Sequence, residues 1–66
     1  MKATHALAWS EEVEDGVLEH YAAMLDEDEE VVGQTWIHLT AEDAAEKSRS
    51  LYEANRLEDW FDETAY

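Results

Sequence analysis

The sequence contains no cysteine and no proline, only two glycines, and only four basic residues among 66. Without cysteine the chain can form neither a disulfide framework nor a thiolate metal site, which excludes the disulfide-stapled class of small secreted domains. No charged leader followed by an apolar segment opens the chain, and no run approaches the roughly 20 apolar residues of a membrane span. We therefore expect a soluble, cytoplasmic protein.

Acidic residues, by contrast, are abundant. Eighteen acidic residues give a formal net charge of −14, but hydrophobic residues still make up 45% of the chain and include three tryptophans and three tyrosines. This apolar content argues against disorder and predicts a single folded domain, residues 1–66, that carries its charge outside. Such a surface repels nucleic acid and anionic membranes and attracts cations. The expected partner is a basic protein surface.

The first half of the chain predicts a strand followed by a helix. Residues 3–9 alternate between two sets of side chains, which is typical of a short strand. After them Val13, Val17 and Tyr21 recur at helical spacing, and acidic residues crowd the first turn, where the helix macrodipole favours anions. We therefore predict an amphipathic helix over residues 11–26.

The second half predicts a strand and two further helices. Residues 31–40 are rich in β-branched and aromatic side chains and favour a strand. Thr40 and Asp43 have the spacing of a capping box, which opens a helix over residues 41–54. The last segment, LEDWFDETAY, spaces its large apolar residues for a short terminal helix. The expected fold is a small α+β domain, β-α-β-α-α, with a short two-stranded sheet and the helices packed on one face.

The acidic run DEDEE, residues 26–30, first suggests a calcium site. An EF-hand loop that began at Asp26 would need glycine at its sixth position and a carboxylate at its twelfth, but Val31 and Ile37 stand there. The three histidines are too widely separated for a zinc site, and no nucleophile or phosphate-loop motif is present. We therefore expect no metal, no cofactor, no catalytic residue and no enzymatic activity.

The remaining candidate is the acidic surface itself. On the predicted helix, steps of three, four and seven residues place four carboxylates on one face, about 4.5, 6 and 10.5 Å apart along the axis. That helix contains no basic residue to balance them, although ordinary exposed helices mix both signs. The predicted partner-binding residues are Glu12, Asp15, Glu19, Asp26, Glu27, Asp28, Glu29 and Glu30. A second candidate face consists of Glu42, Asp43, Glu46 and Glu53.

Two different selective pressures lead to such an acidic surface. One is adaptation to molar salt, where an acidic surface keeps a protein soluble and charges are screened within about 3 Å. This interpretation predicts a halophilic adaptor or housekeeping domain. The other is imitation of nucleic acid, since rows of carboxylates on a rigid element can occupy the Lys and Arg arrays that hold DNA.

In its size, its lack of cysteine, its acidic run LDEDEEVV and its acidic segment EEVEDGVLE, the chain resembles the small acidic anti-CRISPR proteins of phages that act as DNA mimics. The resemblance points to a type I system, with a type I-C complex as the candidate target. It implies a monomeric, non-catalytic inhibitor that keeps the surveillance complex from its target DNA in the cytoplasm of the host bacterium. The resemblance includes no alignable motif, so the site residues rest on the charge argument.

Overall fold

The computed structural model describes residues 2–65, which form a four-stranded mixed sheet with one helix on one of its faces. The elements are β1 (His5–Glu14), β2 (Val17–Leu25), β3 (Val31–His38), α1 (Ala41–Asn55) and β4 (Asp59–Glu63). The strand order is β3-β2-β1-β4. Strand β2 is antiparallel to both β1 and β3, whereas β4 is parallel to β1. The predicted β-α-β-α-α fold with a two-stranded sheet is therefore wrong.

The predicted helix over residues 11–26 is instead the hairpin of β1 and β2. Asp15 and Gly16 connect the strands, and Gly16 has φ 78°, a conformation that favours glycine. An Asp-Gly pair is a typical hairpin connection. The helical spacing was misleading because Val13 and Val17 lie on the part of the hairpin that extends beyond β3 and β4, where both are exposed and no alternation of buried and exposed residues is required.

The predicted terminal helix is also wrong, because the chain leaves α1 and returns as a strand. Arg56 takes the left-handed conformation with φ 51° and ψ 47°, and the Leu57 N–H donates to the Tyr52 carbonyl at 3.1 Å. These are the marks of a Schellman helix end. The chain then joins the sheet beside β1, so the adjacent Trp60 and Phe61 point to opposite faces instead of sharing a helix face.

Three predicted elements are confirmed. The strand predicted over residues 3–9 corresponds to the start of β1, which begins at His5 and continues to Glu14. The strand predicted over residues 31–40 is β3, and the helix predicted over residues 41–54 is α1. The Thr40 hydroxyl accepts a hydrogen bond from the Asp43 N–H at 3.1 Å, as the sequence pattern predicted for the helix start. The start of this helix could therefore be predicted from the residues immediately around it.

Most of the core lies between α1 and the sheet and is built from small side chains, whereas Ala23 and Leu25 of β2 are buried on the opposite face. Ala6, Ala8 and Ala22 of the central strands are fully buried, as are Ala44 and Ser48 of α1. Because these side chains are small, the helix approaches the sheet closely, and the larger side chains occupy other positions. Within residues 2–65, no helix has the length and the apolar character needed to cross a membrane.

Candidate protein-binding surface

The strands carry negative charge alone. Within β1, β2 and β4 there are seven carboxylates and no lysine or arginine, and β3 has neither sign of charge. The seven are Glu11, Glu12, Glu14, Glu19, Asp59, Asp62 and Glu63. The four basic residues, Lys2, Lys47, Arg49 and Arg56, all lie outside the strands. The fold therefore separates the charges, and the sheet forms its anionic part.

The hairpin of β1 and β2 extends beyond the rest of the sheet. Pairing of β1 with β4 ends at Trp9, and pairing of β2 with β3 ends at His20. The segment beyond, residues 11–19, is a two-stranded projection that we call the acidic ribbon; its apolar Val13 and Val17 are 46% and 47% exposed. The ribbon carries the carboxylates of Glu11, Glu12, Glu14, Asp15 and Glu19.

Carboxylates on the ribbon lie close together. Glu11 and Glu19 are direct cross-strand partners, a position in which Cβ atoms are about 4.5–5.5 Å apart and like charges are destabilising. Glu12 and Glu14 flank a β-bulge on one strand, and because their partners Leu18 and Val17 are consecutive residues, the two carboxylates point to opposite faces of the ribbon. This strand geometry replaces the predicted helical row. The ribbon thus concentrates repulsion that folding alone does not require.

The acidic run at residues 26–30 lies at the other end of the sheet. Seven residues of extended chain separate Glu19 from Asp26, roughly 23 Å. Asp26 is only 3% exposed, and its Oδ1 accepts hydrogen bonds from the Asp28 and Glu30 N–H groups at 2.9 and 3.0 Å. The Asp26 carboxylate therefore orders the loop, and its four acidic neighbours are exposed. The eight predicted residues form two separate groups.

The second candidate face, on α1, contains charges of both signs. Glu42 and Asp43 lie in the first turn, where carboxylates stabilise the helix. The Glu53 carboxylate contacts the Arg49 guanidinium at 3.4 Å, so part of its charge is compensated. Of the four predicted residues on this face, only Glu46 has neither of these two structural roles. The face is therefore a weaker candidate than the ribbon.

One face of the sheet points away from α1, and we call it the open face. The pairing register places on it His5, Leu7, Trp9, Glu11 and Glu14 of β1; Val17, Glu19, Tyr21, Ala23 and Leu25 of β2; Val31, Thr35 and Ile37 of β3; and Asp59, Phe61 and Glu63 of β4. Ile37 is 64% exposed and Phe61 44% exposed. No helix or strand within residues 2–65 lies over this face.

Trp9 and Tyr21 form an aromatic pair in the middle of the open face, at the base of the ribbon. Their rings are stacked, with centroids 5.4 Å apart and an angle of 25° between their planes. The Tyr21 hydroxyl donates to Glu19 Oε2 at 2.6 Å. That hydrogen bond, then desolvation, then the negative charges of Glu19 and Glu11 raise the pKa of Tyr21 to about 12. The aromatic pair is therefore joined to the ribbon through the Glu19 carboxylate.

Sequence reasoning did not find the aromatic pair, because Trp9 and Tyr21 are brought together only by the register of β1 with β2. Counting back along both strands from the Asp15-Gly16 turn would pair Trp9 with Ala22. The β-bulge between Glu12 and Glu14 shifts the register by one residue and brings Trp9 opposite Tyr21, and no sequence pattern marks that bulge. Among residues 2–65, no group of three or more His, Asp or Glu side chains is arranged to hold a metal ion.

The chain matches no family model, and no curated protein or solved structure is detectably similar to it.

Proposed function

We propose that this protein is a non-catalytic inhibitor that occupies the basic nucleic-acid-binding groove of a bacterial defence complex and thereby blocks binding of target DNA. The observation that carries the proposal is the acidic ribbon, five carboxylates on a projecting hairpin whose strands contain no cation. A type I CRISPR surveillance complex, in particular type I-C, is the proposed target. The protein acts as a monomer in the cytoplasm of the host bacterium.

The shape of the ribbon suits a groove. Its two strands are about 4.8 Å apart. The register puts the carboxylates of Glu11, Glu14 and Glu19 on one face and that of Glu12 on the other. Proteins that hold DNA do so with Lys and Arg side chains placed against closely spaced phosphates. A narrow, rigid, anionic ribbon can pair with such side chains and exclude the duplex from them.

The predicted site residues take different parts in this proposal. Glu12, Asp15 and Glu19 act from the ribbon. Residues 27–30 supply a second anionic contact at the far end of the sheet, within reach of an extended basic channel. Asp26 holds the loop that presents them. The contact is therefore spread along the long axis of the molecule, which measures 35 Å.

Competition for DNA tests the proposal. A purified type I-C surveillance complex is incubated with labelled target DNA and increasing amounts of the protein, and bound DNA is measured by gel mobility. We expect complete loss of DNA binding, and an inhibitory affinity that weakens as salt rises because exposed charges are screened. Replacing Glu12, Asp15 and Glu19 with lysine should abolish inhibition.

A matched triple variant on α1, with Glu42, Glu46 and Glu53 replaced by lysine, changes the net charge by the same amount. It should retain most of the inhibition. If it abolishes inhibition and the ribbon variant does not, the face on α1 is the site. If wild-type protein at saturation leaves DNA bound to the complex at low salt, this target is wrong.

A further inference from the structure

The open face combines exposed apolar side chains with carboxylates. Ile37 and Phe61 are 64% and 44% exposed at positions that flank the central strands. Between them lies the stack of Trp9 on Tyr21, and Glu11 and Glu19 follow directly beyond it. Exposed apolar area of this kind is costly in water and commonly marks an interaction surface.

The charge of the open face determines which kind of partner can cover it. A second copy of this chain would bring another molecule of net charge −14 against the same carboxylates, so repulsion opposes a dimer through this surface. Anionic and neutral apolar partners would leave the carboxylates Glu11 and Glu19 buried and unpaired, which is also unfavourable. A cationic partner alone satisfies both the aromatic and the acidic side chains.

The aromatic pair favours arginine over lysine in that partner. A guanidinium is planar and weakly hydrated, stacks on an indole ring and can donate two parallel hydrogen bonds to carboxylates, whereas an ammonium is a strongly hydrated point charge. On the helix side of the sheet, the chain already places a cation of its own over an indole ring: Lys47 Nζ lies 4.6 Å from the centre of the Trp36 ring. Within residues 2–65, no cation lies over Trp9.

We propose that the open face binds an arginine side chain of a basic protein, with its guanidinium stacked against Trp9 and paired with the carboxylates of Glu11 and Glu19. This inference rests on the proposed function for the class of partner, and it assigns the contact to particular atoms. Tyr21 is a positioning residue: it supports the Trp9 ring from one side and holds Glu19 Oε2 through its hydroxyl.

Two peptides of equal charge provide the probe, nona-arginine and nona-lysine, each titrated into isotopically labelled protein at low salt. Tryptophan indole N–H signals and backbone amides in NMR spectra report where each peptide binds. We expect nona-arginine to bind about three- to tenfold more tightly, the range of one cation–π contact at a partly exposed site. The Trp9 signal should move most. Equal affinities, or larger shifts at Trp36 than at Trp9, would overturn the inference.

Variants separate stacking from charge. Trp9→Leu keeps an apolar side chain but should lower the affinity for nona-arginine to that for nona-lysine. Trp60→Leu, on the helix side of the sheet, is the matched control and should keep the preference for arginine. If Trp9→Leu does not fold, the wild-type shifts decide, together with Glu11→Gln, which should weaken arginine binding more than Glu12→Gln does.

The inference and the proposed function can fail separately. If nona-arginine binds at Trp9 but the protein does not displace DNA from the surveillance complex, the open-face site stands and the target is wrong. If the protein displaces DNA and Trp9→Leu does so equally well, the inhibitor stands and the open-face site is wrong. A dimer in sedimentation at low salt that Ile37→Lys converts to monomer would show a second copy on the open face and overturn the inference.

Discussion

Replacing Glu11 with lysine should stabilise this protein while weakening its binding to a basic partner. Glu11 lies directly opposite Glu19 in the β1–β2 ladder, so two carboxylates face each other on the open face. Like charges at such positions are destabilising. A residue pair selected for folding would carry opposite charges there, and the variant restores that arrangement.

The size of the effect follows from the spacing. Two unit charges about 6 Å apart repel by about 0.7 kcal/mol in water. Lysine at position 11 turns this repulsion into an attraction of similar size, and the entropy of holding two long side chains reduces the gain. We expect the free energy of unfolding to rise by about 1 kcal/mol at low salt, which corresponds to an increase in Tm of roughly 4–8 °C for a domain of this size.

Urea unfolding measures the change, once in dilute buffer and once in about 1 M salt, where the screening length falls to about 3 Å and the gain should largely disappear. Glu42→Lys is the matched control, because it changes the net charge equally but places a cation in the first turn of α1, where it opposes the helix macrodipole. We expect the control to be neutral or less stable than wild type.

Equal stabilisation by Glu11→Lys and Glu42→Lys would show that only the total charge matters, and would refute the reasoning from the cross-strand pair. A loss of stability in Glu11→Lys at low salt would refute it as well, since it would mean that Glu11 and Glu19 do not face each other.

Three further predictions concern single side chains. Glu19→Gln should lower the pKa of Tyr21 from about 12 toward 10.0, as measured by tyrosinate absorbance in a chain whose other tyrosines are phenylalanine; an unchanged pKa would contradict the hydrogen bond. Because folding raises this pKa, wild-type stability should fall as pH rises from 10 to 12, and Glu19→Gln should flatten that fall. Thr40→Ala should cost about 1 kcal/mol in chemical unfolding through loss of the helix cap, whereas Thr40→Asp should be nearly neutral. Arg56→Gly should add about 0.5–1 kcal/mol, seen as a higher Tm, because glycine adopts the left-handed conformation without strain; a lower Tm would show that the arginine side chain stabilises the helix end.

Local signals in the sequence located β3 and α1 correctly. The β-branched and aromatic residues of 31–38 favour a strand, and the hydroxyl of Thr40 caps a helix through a hydrogen bond from the N–H three residues later. Both effects act over a few residues, so the sequence around them is sufficient.

The hairpin and β4 were missed for different reasons. In β1 and β2, the spacing of Val13, Val17 and Tyr21 fits a helix as well as it fits a strand, and only the Asp15-Gly16 connection distinguishes the two. The position of β4 depends on parallel pairing with β1 after a helical crossover, a long-range contact that leaves no periodic trace in the last residues of the chain.

The composition predicted an acidic surface, but not where its parts lie. A period of 3.6 residues puts Glu12, Glu19 and Asp26 on one face; a period of two divides them, and the return of β2 carries Asp26 to the far end. The open face, with its stack of Trp9 on Tyr21, exists only once the register of the sheet is set. The side-chain arrangements that depend on strand register are therefore the part of the site that cannot be predicted from the sequence alone.

In water of low ionic strength, we expect the carboxylates of residues 11–30 to be held in fixed positions by the sheet and by the loop that Asp26 orders. NMR spectra of the labelled protein in dilute buffer test this expectation most directly, through cross-strand contacts between Trp9 and Tyr21 and between Glu11 and Glu19. We predict that these contacts are present without added salt. If residues 11–30 give the signals of an unstructured chain until salt reaches molar concentration, adaptation to high salt explains the acidity and the account of a rigid anionic inhibitor is contradicted.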